Sequence, residues 1–190
     1  MDKKVLRQTL LQQRKELSDR DWTEKSKAIC ENIAQTECFR KAKTVLAYFS
    51  VRQEPDLSYL WTLDAASKCW GLSRCVGKTL VWHQYNPHLP KQVQPGAYGI
   101  LEPLPTLPLV KPDSVDLILV PAVACDRRGF RLGYGGGFYD RLLAQPEWAD
   151  KPTIGIVFEF ALLNQLDADP WDRPMRSVCT ENGFMAIDLD

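Results

Sequence analysis

The sequence predicts an α/β fold: a single domain over residues 1–190, built on an open, mainly parallel sheet flanked by helices, with an N-terminal helical segment. Three observations carry this. The apolar runs VDLILVPAV (115–123) and TIGIVFEF (153–160) are short and nearly unbroken, as strands buried on both faces require. Segments of helical spacing alternate with the strand-like runs. A chain of 190 residues is long enough to bury a real core in one domain.

Residues 3–17 read as a helix, with Leu6, Leu10 and Leu17 on or near one face and Lys3, Lys4, Arg7 and Arg14 elsewhere. Ser18-Asp19-Arg20-Asp21 resembles an N-cap with acids in the first turn. A second helix runs on to about residue 38, with Trp22, Ser26, Ile29 and Ile33 at helical spacing. TVLAYFS (44–50) has the pattern of a buried strand. Leu57, Leu60 and Trp61 mark a third helix, and strands are expected near 69–76 and 79–85. From Asn86 to Pro112 seven prolines fall in 27 positions, which predicts an irregular covering segment. The run 115–123 is the clearest strand, and a glycine-rich stretch follows it directly. A helix begins near Gly137 and continues through Leu142 and Leu143. Residues 153–160 form a further strand, and FMAIDL (184–189) the last.

Composition narrows the function. Lys+Arg and Asp+Glu are equal at 24 each, which argues against a general nucleic-acid binder. No run of about 18 apolar residues suggests a membrane span. The N-terminus lacks the apolar core of a signal peptide. The six cysteines are scattered, and free thiols in a reducing cytoplasm are the expectation. Cys69, Cys75, His83 and His88 run C-x5-C-x7-H-x4-H, and only the last spacing suits zinc. His83 and His88 are the two histidines, and neither lies near a G-x-S-x-G, so a Ser-His-Asp or Cys-His hydrolase is poorly supported.

The stretch RLGYGGGFYDR (131–141) carries the chemistry. Four glycines fall within five residues, between a strand and a helix. In open α/β sheets ligands bind beyond the carboxyl ends of strands. Glycines let backbone N–H groups approach phosphate oxygens, and a helix start favours anions. Arg131 and Arg141 add charge, and Asp140 is placed to hold magnesium through oxygen. The loop is not a Walker A motif, since no lysine follows the glycines. Phe138 stands where the third glycine of GxGxxG belongs. The composition alone therefore leaves two readings open: an anion-binding turn, or a tight turn whose glycines only satisfy backbone geometry. Glu54, Asp56, Glu102, Asp167, Asp169 and Asp172 also stand out, though each equally suits a solvated loop acid.

The ordered segments KVLRQTLLQQRKELS, YFSVRQEPD, YGILEP, DLILVPAVACDRRGFRLGYGGGFYDRLL, GIVFE and WDRPMRSVCTENG together resemble the 5-formyltetrahydrofolate cyclo-ligase family. The likeness spans roughly residues 3–183. It implies ATP-dependent conversion of 5-formyltetrahydrofolate to 5,10-methenyltetrahydrofolate, with ADP and phosphate released and magnesium required. Phosphoryl transfer makes the formyl oxygen a leaving group, and N10 closes the ring. The enzyme aligns two substrates and neutralises phosphate charge, with no nucleophilic side chain.

By the same resemblance Lys3, Lys4 and Arg7 meet ATP, together with the loop Arg131, Leu132, Gly133, Tyr134, Gly135, Gly136, Gly137, Phe138 and Tyr139. Arg131 and Tyr139 are the implied catalytic residues. Val51, Glu54 and Asp56 receive the pterin, whose paired N–H donors suit a carboxylate. Tyr134 to Phe138 line the folate side as well, and Asp140 and Asp172 hold Mg²⁺. The implied partners are small molecules, with no nucleic acid, no membrane and no obligatory protein partner. Trp171, Cys125 and FEFALLNQL depart from the family pattern, which bears on the geometry around Asp172. The alternative is a catalytically inactive folate- or nucleotide-binding regulator on the same fold, against which the intact Arg131, Asp140 and Asp172 argue.

Overall fold

A computed structural model describes residues 2–64, 67–89, 91–96 and 99–188. Tyr98 of YGILEP and Leu189 of FMAIDL lie outside the described residues. The chain opens with helices α1 (Lys3–Lys15) and α2 (Asp19–Gln35) and the short α3 (Glu37–Lys41). Strand β1 (Thr44–Ala47), helix α4 (Ser58–Asp64) and the hairpin β2 (Cys69–Val76) and β3 (Thr79–Tyr85) follow. Then come β4 (Val93–Pro95), β5 (Leu101–Pro103), β6 (Leu117–Pro121), β7 (Ala124–Asp126) and β8 (Arg131–Leu132). Helices α5 (Phe138–Leu143) and α6 (Pro146–Ala149) precede β9 (Thr153–Ile156), β10 (Leu162–Leu163), β11 (Ser177–Thr180) and β12 (Gly183–Ala186).

Among the described residues one seven-stranded sheet has the order β12-β11-β9-β6-β1-β2-β3. Its five inner strands are parallel, and β3 and β12 close the two edges antiparallel. The α/β expectation therefore holds, with mixed edges. Alternate residues of β6 explain the unbroken apolar run. Leu117 and Leu119 join Ile29, Ile33 and Phe39 on one face, while Ile118 and Val120 join Leu142, Leu143 and Trp148 on the other.

Several boundaries differ from the sequence reading. The second helix stops at Gln35 because Thr36 is extended (φ −71°, ψ 145°) and its side chain caps α3 by accepting from Phe39 N. The strands expected over 44–50 and 153–160 are four residues each, because their continuations leave the sheet. The glycine stretch does not follow β6 directly. The antiparallel β7–β8 pair stands between them, in a separate small sheet with β10. The proline-rich segment contains the antiparallel β4–β5 pair. SVCT, which forms β11, has four residues and no distinctive pattern to mark it as a strand in the sequence.

Candidate active site

Strands β1 and β6 are parallel neighbours at the centre of the sheet. From β1 the chain crosses to β2 on one side, and from β6 it proceeds to β9 on the other. This is a topological switch point, where an open α/β sheet leaves a crevice beyond its carboxyl ends. Residues 48–56 issue from β1 into it, and residues 122–140 issue from β6.

The segment after β1 makes a tight turn. Glu54 N donates to Val51 O at 3.1 Å, and Val51 N donates to Glu54 Oε2 at 3.1 Å. Between them Arg52 and Gln53 are both left-handed, with φ 51° and 55°. Such a conformation costs non-glycine residues of order 1–3 kcal/mol each and persists only when its surroundings hold it. Trp22 Nε1 and Ser50 Oγ both donate to Glu54 O, at 2.9 and 2.8 Å. The Arg52 guanidinium lies 5.4 Å from the centre of the Tyr134 ring. Glu54 is 2% exposed, and burial pushes its carboxyl up to about 7, against the opposing pull of Arg14, Tyr134, the Val51 N–H and Arg52.

Beside this turn a cleft of about 490 Å³ is lined by Trp22, Phe49, Val51, Asp56, Trp61 and Ile100, among others. Phe49, Trp61 and Tyr85 meet with ring centroids 5.3–5.9 Å apart, giving an apolar aromatic wall. Asp56 accepts from Ser58 N at 3.1 Å and Ser58 Oγ at 2.6 Å, so one of its tasks is to start α4.

The glycine loop faces the turn. Gly135 and Gly137 are left-handed (φ 97° and 63°), which swings the chain from β8 into α5. Helix α5 has only six residues, so its dipole is weak and the anion-attracting character expected of this helix start falls to loop N–H groups and side-chain cations. Arg131 Nη2 donates to Asp140 Oδ1 at 2.7 Å. Arg141 does not converge with it. Its guanidinium donates to Gly136 O at 2.8 Å and Lys78 O at 2.9 Å, bracing the loop from outside.

Helix α1 lies along the other side. Arg7 Nε donates to Gly133 O at 2.8 Å. Arg14 Nη1 donates to the Tyr134 hydroxyl at 2.8 Å and Nη2 to Ala122 O at 2.7 Å. Lys3 Nζ donates to Asp169 Oδ2 at 2.5 Å and Asp172 Oδ2 at 3.2 Å. Burial opposes the Lys3 ammonium, yet the two aspartates outweigh it and raise its pKa. Asp172 Oδ2 also accepts from Asp169 N at 2.8 Å, which shapes the turn holding Trp171, 66% exposed.

A family model described as the 5-formyltetrahydrofolate cyclo-ligase family matches residues 1–181. The chain belongs to that family. A curated 5-formyltetrahydrofolate cyclo-ligase from Mycolicibacterium smegmatis is 35% identical over 162 residues, covering 76% of this chain and 77% of that protein. One from Haemophilus influenzae is 33% identical over 144 residues, covering 72% and 74%. The solution structure of Aquifex aeolicus 5,10-methenyltetrahydrofolate synthetase superposes with a TM-score of 0.86 at 32% identity, covering 100% of this chain and 95% of that one.

Against the cyclo-ligase pattern, the structure brings some implied residues together and separates others. Lys3 and Arg7 share the face of α1 that meets the loop and the 169–172 turn, whereas Lys4 is exposed. Val51 and Asp56 line the cleft, and Glu54 sits buried behind them. Tyr139 packs its ring 5.3 Å from the Arg131 guanidinium, and burial raises its pKa. Leu132 is buried in the apolar cluster under α1, contributing there through packing.

Three residues that build this candidate site carry no functional signal in the sequence: Arg14, Trp22 and Arg52. In the sequence Arg14 stands with the polar residues of α1, yet it is 1% exposed. Its signal is one of burial, the i,i+4 spacing from Leu10, which puts a charge on the buried face.

Proposed function

We propose that this protein is an ATP-dependent 5-formyltetrahydrofolate cyclo-ligase that forms 5,10-methenyltetrahydrofolate, ADP and phosphate. The observation that carries the reading is the meeting at Tyr134 of α1, the 51–54 turn and the glycine loop, in a chain matched by the family over residues 1–181. The aromatic cleft accepts the flat pterin, with Val51, Glu54 and Asp56 offering oxygen acceptors to its N–H edge. Lys3, Arg7 and Arg131 bring positive charge to the phosphates, and loop N–H groups from Gly133 to Phe138 approach the transferring group. Arg131 and Tyr139 hold that region in place. The formyl oxygen takes the γ-phosphoryl group, N10 attacks the activated carbon, and phosphate leaves. Alignment and charge neutralisation supply the catalysis.

Asp140 and Asp172 fit magnesium chemically, since both offer carboxylate oxygen. The hydrogen bonds each accepts run to one oxygen, Oδ1 of Asp140 and Oδ2 of Asp172. A bound ion there would neutralise phosphate charge. The six cysteines are free, in keeping with work in a reducing cytoplasm.

The test mixes purified protein with ATP, Mg²⁺ and 5-formyltetrahydrofolate and follows the methenyl absorbance band. A band that grows only with all three supports the reading. Binding of ATP without any band would indicate a regulator that has lost turnover.

A further inference from the structure

Helix α1 is already anchored by apolar contacts. Leu6, Leu10 and Leu11 pack with Ala122, Leu132 and Tyr134. Arg14 adds a guanidinium to this interface, 1% exposed, and its Nε–H has no hydrogen-bond partner among the described residues. A buried cation with one donor unmet is a poor device for stability, since an apolar side chain would fill the space at less cost. Its two made bonds go to Ala122 O, just after β6, and to the Tyr134 hydroxyl, in the glycine loop. The ring that carries this hydroxyl meets the 51–54 turn directly, with the Arg52 guanidinium 5.4 Å from its centre, and Tyr134 favours the ionised form of the Glu54 carboxyl.

We infer that Arg14 is a positioning residue for the folate side of the site: through Tyr134 it sets the buried Glu54 turn against the glycine loop. The inference rests on the proposed reading that residues 51–56 receive folate. Its content is directional. Arg14 belongs to the helix that presents Lys3 and Arg7 to the nucleotide, yet its bonds lead to the folate wall. Removing it should disturb folate before ATP.

Glu54 is faced by Arg14 from α1, Arg52 from its own turn, Tyr48 after β1, Tyr134 from the loop and Tyr139 from α5. The cations among these are Arg14 and Arg52, and Arg14 is the leading opponent of burial. Without it the carboxyl shifts further toward its neutral form. A protonated Glu54 no longer accepts in pairs. The acid limb of folate kcat/KM therefore moves to higher pH when Arg14 is neutralised.

The test compares Arg14→Met, Arg14→Lys, Glu54→Gln, Tyr134→Phe and the Arg14→Met/Tyr134→Phe pair in the full-length protein. Steady-state kinetics for each substrate are taken across pH, with melting measured on the same samples. Arg14→Met should raise folate KM about tenfold to a hundredfold while ATP KM stays within about threefold. Its acid limb should shift upward, and Arg14→Lys should recover part of the loss. In the Tyr134→Phe background Arg14→Met should cost clearly less than in the parent. If Arg14→Met does not fold, Arg14→Lys carries the test, because a shorter cation cannot reach both Ala122 O and the hydroxyl. Equal rises in ATP and folate KM, or equal losses with and without the Tyr134 hydroxyl, overturn the inference. An unchanged folate KM in Glu54→Gln overturns the folate-wall reading itself. A raised KM there with a normal one in both Arg14 variants overturns Arg14 alone.

Discussion

Arg131 Nη2 donates to Asp140 Oδ1 across 2.7 Å, joining the two ends of the glycine loop. The side chains are 5% and 24% exposed, so the pair is largely shielded and fixes the guanidinium beside the loop. Asp140 thus has two tasks in the proposed site, orienting Arg131 and offering oxygen to magnesium. Asp140→Asn keeps an acceptor but loses the charge both tasks need. Turnover at saturating magnesium should fall on the order of a hundredfold. The melting temperature should stay within about 5 °C of the parent. An unchanged rate would remove Asp140 from the reaction.

Arg131→Ala should weaken ATP more than folate. Loss of a charge-assisted contact to phosphate costs about 1.5–3 kcal/mol, or one to two decades in affinity. Direct binding of ATP and of folate, measured separately, checks this. An equal loss for both would move Arg131 away from the phosphates.

The parts legible in the sequence were those written locally. The two-faced run at 115–123, the caps and the glycine loop each declare themselves within a few residues. The cleft was legible only at Val51 and Asp56, because Trp22, Trp61 and Ile100 come from other elements and meet there through the fold. Arg14 was hidden for the same reason. Its partners are 108 and 120 residues away, and a helical arginine normally reads as solvated. The 169–172 turn gained its meaning from Lys3, at the opposite end of the chain.

Glu54 makes a pH prediction. Burial, the chief cause, pushes its carboxyl up to about 7 in the folded protein against an ordinary 4.5. Between those values the folded state binds the extra proton. Its contribution to stability is therefore full below about pH 4.5 and is lost as pH rises through about 7. Relative to Glu54→Gln, the parent should lose stability between pH 5 and 8, by about 3 kcal/mol at most. Denaturant unfolding of both proteins at the two pH values measures the difference. Parallel pH profiles would show that Glu54 is not held in this state.

Two glycines should separate reaction from architecture. Gly129 closes the turn between β7 and β8 with φ 87°, and a Cβ there would stand 2.4 Å from Met175 O. That neighbour is backbone and is itself tied to the turn, since Met175 N donates to Gly129 O at 2.8 Å. Gly129→Ala should therefore lower the melting temperature by roughly 5–10 °C while leaving turnover per folded molecule near the parent. Gly136 differs in every respect. It is exposed, its φ is not left-handed, and an added Cβ would meet the Phe138 ring at 2.9 Å, a side chain that can turn aside. Gly136→Val should then melt within about 5 °C of the parent. If its backbone approaches the transferring phosphoryl group, the branched side chain occupies that approach and turnover is abolished. Melting and turnover measured on the same samples decide it. A Gly136→Val protein that melts normally and closes the imidazoline ring at the parent rate would show that the phosphoryl group passes elsewhere.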